Sequence, residues 1–179
     1  GVAVSDKPEG PFKAEPDYIK GSYSIDPAVL MDDDGKAYIY FGGGVPQGKA
    51  AHPYTARCAQ LGDDMMSLVG VPTSIDPPYL FEDSGIHKFG DTYYYTYCTN
   101  FSVDQAGKDE YGFDNGEICV MESKNPLGPF TFKERILRNP GYYFGTGGNN
   151  HHAVFKFKDQ WYITIARSEE RRVGKECRS

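Results

Sequence analysis

Short apolar runs, each opened by a polar residue and answered after a tight turn by an aromatic run, recur three times along this chain. Asp26-Pro27-Ala28-Val29-Leu30 leads to Tyr38-Ile39-Tyr40, Glu82-Asp83-Ser84-Gly85-Ile86 to Tyr93-Tyr94-Tyr95, and His151-His152-Ala153-Val154-Phe155 to Trp161-Tyr162-Ile163. The turns fall at Asp34-Gly35, Gly90-Asp91 and Lys158-Asp159. Each unit reads as a hairpin. Hairpins at this interval, about one per four-stranded unit, are the signature of a β-propeller, whose innermost strands all start at one axis. The pattern therefore predicts that two carboxylates and a histidine converge at the hub.

A second repeat supports the first. Ser5-Asp6-Lys7-Pro8-Glu9-Gly10-Pro11-Phe12 and Ser123-Lys124-Asn125-Pro126-Leu127-Gly128-Pro129-Phe130 share Ser-x-x-Pro-x-Gly-Pro-Phe. Each follows a strand-like run, so Pro and Gly fix a turn and Phe starts an outer strand of a blade. The segment Ala56 to Val69 supplies outer strands to the blade that opens at Asp26. No window sustains apolar residues at a 3.6 period, so no helix is expected, and Gln105 to Asn115 reads as a surface loop. The fold class is all-β, a partial propeller of about two complete blades plus parts of two others. Residues 1–166 form this one domain. The stretch 167–179, highly charged and without aromatics, breaks the pattern and is expected to be a non-native appendage.

Composition narrows the chemistry. With 39% hydrophobic and 15% aromatic residues the chain is globular, and 21 Gly and 12 Pro favour short strands with many turns. A formal net charge of -6 with scattered cations argues against nucleic acid. No apolar run reaches the roughly 18 residues of a membrane span. Neither is expected as a partner, and a neutral substrate fits better. The four cysteines show neither a disulfide framework nor metal-ligand spacing. Gly1-Val2-Ala3-Val4 reads as the middle of a strand, so the chain is expected to begin inside a domain.

Among the polar openings, Glu82 follows Leu80-Phe81 and places a carboxyl group where desolvation favours its protonated form, as a general acid requires. Asp26 nearby would reinforce that by charge repulsion. Asp83 competes for the role, but strand alternation turns it the other way. Asp76, in a copy of the Ser-Ile-Asp-Pro sequence, precedes Pro78 and cannot open a regular strand there, which makes it a decoy. Asp32-Asp33-Asp34-Gly35 lacks the ligand spacing of a calcium loop and reads as a hairpin turn. Of the adjacent His151 and His152 only one can face the axis, and the repeat selects His151, to orient substrate or hold a water or cation. Gly42-Gly43-Gly44 is not followed by a helical pattern and is no phosphate loop.

With these residues in order, the chain from Gly1 to about Ile163 resembles glycoside hydrolase family 43, the five-bladed propeller enzymes. The matching segments are Gly1 to Ser5 with Gly10-Pro11-Phe12, Ser24 to Pro27 with Asp33 to Tyr38, Phe81-Glu82 with the Lys88 to Tyr95 hairpin, and Asn149 to Phe155 with Trp161-Tyr162. Among its branches the likeness is greatest to the arabinoxylan arabinofuranohydrolases. The resemblance implies inverting hydrolysis of terminal arabinofuranosyl or xylosyl linkages in plant polysaccharide, with three carboxylates. Glu82 would be the general acid, Asp26 the residue tuning it, and His151 and Asn150 substrate-binding residues. The general base would lie upstream of Gly1, leaving this chain inactive alone, and an unclosed ring would expose strand edges. No cofactor is required, an axial calcium is left open, and the expected location is secreted or periplasmic. The alternative is a non-catalytic carbohydrate-binding propeller that stacks sugars on Tyr and Trp faces. A purely structural propeller would line its axis with neutral side chains, unlike the Asp, Glu and His openings here.

Overall fold

A computed structural model describes residues 1–148 and 150–166; the appendage expected at 167–179 lies outside the described residues. A small sheet pairs β1 (Ala3–Val4) with β2 (Lys13–Ala14). Next comes a four-stranded antiparallel sheet in chain order, β3 (Ala28–Met31), β4 (Ala37–Gly42), β5 (Ala56–Leu61) and β6 (Leu68–Ile75). A second follows, β7 (Leu80–Phe89), β8 (Thr92–Thr99), β9 (Ile118–Ser123) and β10 (Thr131–Leu137). A pair, β11 (His152–Phe157) and β12 (Gln160–Ile165), completes the described strands. Strand β7 packs against β3 and β4 on one side and against β11 on the other. The strands β3, β7 and β11 are thus the first strands of successive blades, and the fold is all-β, a partial propeller.

The three hairpins form in the register their turns dictate, Leu30 opposite Tyr38, Ile86 opposite Tyr95 and Val154 opposite Ile163. In the shared octapeptide motif Gly10 and Gly128 both adopt left-handed backbone, at φ 79° and 84°. Their N–H groups donate to Lys7 and Asn125 at 3.0 Å in each case. Two copies of one sequence therefore make one turn twice, and the following strands begin one residue beyond Phe12 and Phe130.

Alternation along β4 builds both layers of packing. Tyr38 and Tyr40 point into a cluster with Cys58, Leu80, Tyr95, Tyr97, Cys119 and Met121, which joins the two full blades. Ala37, Ile39 and Phe41 point the other way, onto Ile19, Ala59 and Leu61. Because both faces are covered, β4 is buried throughout, and its aromatic composition follows from that. The Tyr40 hydroxyl keeps a partner by donating to the Pro126 carbonyl at 2.6 Å, in the next blade. Between the second blade and β12, the His87 ring stacks on Tyr94 and meets Trp161, each at 5.3 Å between centroids. Burial, with the nearby His152, pushes the His87 pKa down to about 4, so at neutral pH it packs as an uncharged ring.

The expectation of no helix is corrected. The segment Gln105–Tyr111, inside the stretch read as a loop, is a helix, α1, and Pro140–Phe144 forms a second, α2. Both are too short to show a period. Local capping defines them instead. Asp104 accepts the Gly107 N–H and Asn139 accepts the Gly141 N–H, while Gly112 and Gly145 close the ends in left-handed backbone. No helix among the described residues is long and apolar enough to cross a membrane.

The acidic run at the first hairpin forms the turn that was expected, with the Gly35 N–H donating to the Asp32 carbonyl at 3.0 Å. It also ties blade to blade. The Asp32 side chain, 3% exposed, takes Lys88 Nζ and the Tyr93 hydroxyl, each at 2.5 Å. Burial raises the Asp32 pKa, but hydrogen bonds from Lys88, Tyr93 and the Asp33 N–H outweigh it and leave the group below its ordinary 3.8. A carboxylate depressed in the folded state stabilises above its unfolded pKa and loses that contribution as pH falls through the folded one. Asp32→Asn is therefore expected to cost about 1–2 kcal/mol at pH 7, because Tyr93 and Lys88 lose a charged acceptor while Lys88 keeps Asp33 at 3.1 Å. In denaturant titrations the gap from the native chain should shrink as the pH is lowered below 3.8.

Candidate active site

The start of β7 is irregular. Its register against β8 shifts between Leu80 and Glu82 and again between Glu82 and Gly85, and Asp83 adopts left-handed backbone at φ 73°. Asp26, two residues ahead of β3, is left-handed too, at φ 53°. Such backbone is costly for a non-glycine residue and persists only where the surroundings hold it. Here they do. The Gly42 N–H donates to the Ile25 carbonyl at 2.9 Å and the Gly44 N–H to the Phe81 carbonyl at 2.6 Å. One glycine run leaving β4 thus fastens the chain beside Asp26 and beside Glu82. A Cβ at Gly42 would lie 2.0 Å from the Thr55 carbonyl oxygen, and one at Gly43 would lie 3.2 Å from Glu82 Cα. The glycines serve close backbone approach.

The result is the convergence the repeats predicted. Side-chain donors of Asp26, Glu82 and His151 all lie within 4.8 Å of one another. His151 Nε2 is 2.9 Å from Glu82 Oε1 and 3.9 Å from Asp26 Oδ2. Exposure is graded: the His151 side chain is 42% exposed, Asp26 23% and Glu82 13%. His151 therefore forms the open rim and Glu82 the floor of the site. Burial lowers the His151 pKa, but the Glu82 hydrogen bond and the charges of Asp83, Asp26 and Glu82 reverse this and leave it raised.

Two expectations are corrected here. Asp83 does not turn away, because the break in β7 register cancels simple alternation. Its N–H donates to Asp26 Oδ2 at 3.0 Å, and its carboxylate accepts the His152 N–H at 2.8 Å and pairs with His152 Nδ1. Asn150 does not line the open site. It is buried, and its Nδ2 donates to the Gly116 carbonyl at 2.9 Å, fixing the chain just before His151. Asp76 is held by His52 at 3.0 Å and takes no part in the cluster. Beyond those expected, Asp83, His152, Thr96 and the glycine run belong to the site. Only Gly42-Gly43-Gly44 carried a readable signal, since consecutive glycines after a strand mark a close approach of backbones.

Asp26, Glu82 and His151 offer two carboxylates and one nitrogen within 4.8 Å of one another, a donor set that a calcium ion, with 6–8 ligands, would have to complete with further oxygens such as water.

Against known proteins, the family model for glycosyl hydrolases family 43 matches residues 1–178. The chain belongs to that family. Within family 43, an arabinoxylan arabinofuranohydrolase of Paenibacillus polymyxa is 49% identical over 177 residues, covering 91% of this chain and 27% of that protein. A beta-xylosidase of Xylanibacter ruminicola is 34% identical over 194 residues, covering 91% of this chain and 55% of that protein. Among solved family 43 structures, the arabinoxylan arabinofuranohydrolase from Bacillus subtilis in complex with cellotetraose superposes with a TM-score of 0.78 at 46% identity. That match covers 91% of this chain and 36% of the other. The chain thus spans about a quarter to a third of the arabinofuranohydrolases it matches.

The His151 environment has a direct readout. Its imidazole should titrate above the ordinary value of 6.5 in an NMR pH series. Glu82→Gln removes an accepting charge and should move that titration downward.

Proposed function

We propose that the chain is part of an inverting glycosidase that removes terminal arabinofuranosyl or xylosyl units from arabinoxylan. The observation that carries this is the meeting of Asp26, Glu82 and His151 within 4.8 Å, each from the head of a different blade. Family membership supplies the reaction class, and the arabinofuranohydrolase relatives at 47–49% identity favour arabinose side chains on xylan.

In this proposal Glu82 donates its proton to the glycosidic oxygen as the bond from that oxygen to the anomeric carbon breaks. Asp26, beside it, keeps the acid oriented. Water attacks the anomeric carbon from the opposite face and gives up its proton to a base. His151, at the open rim, contacts the sugar and steadies Glu82 between turnovers. Asn150 supports His151 from the interior.

A base must stand about 6.5–9.5 Å from the acid so that water fits between them. The carboxylates gathered here are Asp26, Asp83 and Glu82. Asp26 lies too near Glu82 for that gap, and Asp83, its side chain only 9% exposed, has its Oδ2 held by His152. In this proposal the base lies outside the described residues, and the whole enzyme, acting on a plant polymer, is placed as secreted or periplasmic.

Two outcomes test this. The isolated chain should release no sugar from arabinoxylan or from aryl arabinofuranosides, and measurable release would refute the missing base. In the full-length protein Glu82→Gln should lower turnover by about 10²–10⁴-fold with substrate binding retained. Equal binding and no turnover in the unmodified protein would favour a carbohydrate-binding propeller instead.

A further inference from the structure

Behind the exposed cluster lies a buried chain of contacts to which the proposed mechanism gives no role. The His152 side chain is fully buried and the Asp83 side chain 9% exposed. His152 engages the Asp83 carboxylate twice, through its backbone N–H at 2.8 Å and through Nδ1. Its other nitrogen, Nε2, lies 2.7 Å from Thr96 Oγ1. A ring nitrogen facing a carboxylate carries the proton, so Nδ1 donates to Asp83 while Nε2 hydrogen-bonds with Thr96 Oγ1, and the two contacts fix the ring plane. Gly85 makes room for this. A Cβ there would lie 2.2 Å from Thr96 Oγ1 and 3.1 Å from His152 Nε2.

The contacts cross three blades. Asp26 precedes β3, Asp83 and Gly85 are in β7, Thr96 is in β8, and His152 opens β11. Asp83, itself in left-handed backbone, donates its N–H to Asp26 Oδ2 at 3.0 Å. Its carboxylate, anchored by His152, holds the residue in place together with the Gly44 contact to the Phe81 carbonyl. Asp83 also stands next to Glu82 in the chain, so the same anchor fixes the acid's backbone.

We infer that Asp83, clasped by His152, is the positioning residue that sets the Asp26 carboxylate opposite Glu82, touching neither substrate nor reacting atoms itself. This rests on the function proposed above for Asp26 and Glu82. A general packing role would make the clasp a matter of stability alone. A positioning role makes it a matter of turnover at unchanged binding, dependent on the Nδ1 side of the ring.

The variants His152→Asn and His152→Gln separate these in the full-length protein. An Asn amide can replace the Nδ1 donor to Asp83, whereas a Gln amide reaches the Nε2 position beside Thr96. Asp83→Ala removes the anchor altogether. The expected result is a loss of kcat of about 10–100-fold for Asp83→Ala and His152→Gln with KM unchanged, and substantial recovery in His152→Asn. Crystal structures should show the Asp26 carboxylate displaced from Glu82 in Asp83→Ala and in place in His152→Asn. An Asp26 carboxylate unmoved in Asp83→Ala, or equal kcat losses in the Asn and Gln variants, would overturn the inference. Should Asp83→Ala fail to fold, the paired His152 variants give the same decision. If the unmodified enzyme hydrolyses no arabinosyl or xylosyl substrate, the proposed function fails, while the position of Asp26 in the crystals still decides the clasp.

Discussion

Between Leu80 and Gly85 strand β7 twice slips its pairing with β8, and the site depends on that break. A regular strand would send Glu82 and Asp83 to opposite faces. The bulged one turns both into the hub, Glu82 toward His151 and Asp83 toward His152. Two neighbouring carboxylates thereby acquire different surroundings, one beside an exposed imidazole and the other beside a buried one. Difference of environment is what lets chemically similar acids take different tasks. Bulges are frequent next to active sites for this reason, because they re-aim a side chain without disturbing the sheet around it.

The scaffold can bear the irregularity because the blades beside it are tied along their length. Tyr40, Tyr95 and Tyr97 are fully buried between the two complete sheets, and the hydroxyls of Tyr40 and Tyr97 each donate to a carbonyl. Large rings with satisfied polar tips bury much area at little cost in unpaired groups. Further from the hub, Asp32 reaches Lys88 and Tyr93 across the same boundary. Left-handed backbone at Asp26 and Asp83 is thus over-determined by its neighbours, as strained functional segments must be.

Much of this was legible in the residues. The three polar openings, the aromatic returns and the duplicated Ser-x-x-Pro-x-Gly-Pro-Phe turn defined the hairpins and their common axis, because period-two alternation and turn chemistry are local signals. The convergence of Asp26, Glu82 and His151 followed from that symmetry alone. The position of Asp83 was not legible, since alternation fails at a bulge and nothing in Glu-Asp-Ser-Gly declares one except Gly85, whose need appears only with Thr96 and His152 in place. Asn150 looked available beside His151, yet it is buried, with its amide donating to the Gly116 carbonyl. The two helices escaped because periodicity needs length. Their caps, Asp104 with Gly112 and Asn139-Pro140 with Gly145, were present in the sequence and were the better evidence.

The central claim is that Glu82 faces the bond to be broken while Asp26 and His151 flank it. A crystal structure of the full-length protein with an arabinose-substituted xylooligosaccharide tests this most directly. The expected result is a glycosidic oxygen within about 2.6–3.2 Å of the Glu82 carboxyl group, with the terminal sugar against His151. A substrate bound away from the hub, or seated there with Glu82 turned from the linkage, would contradict it.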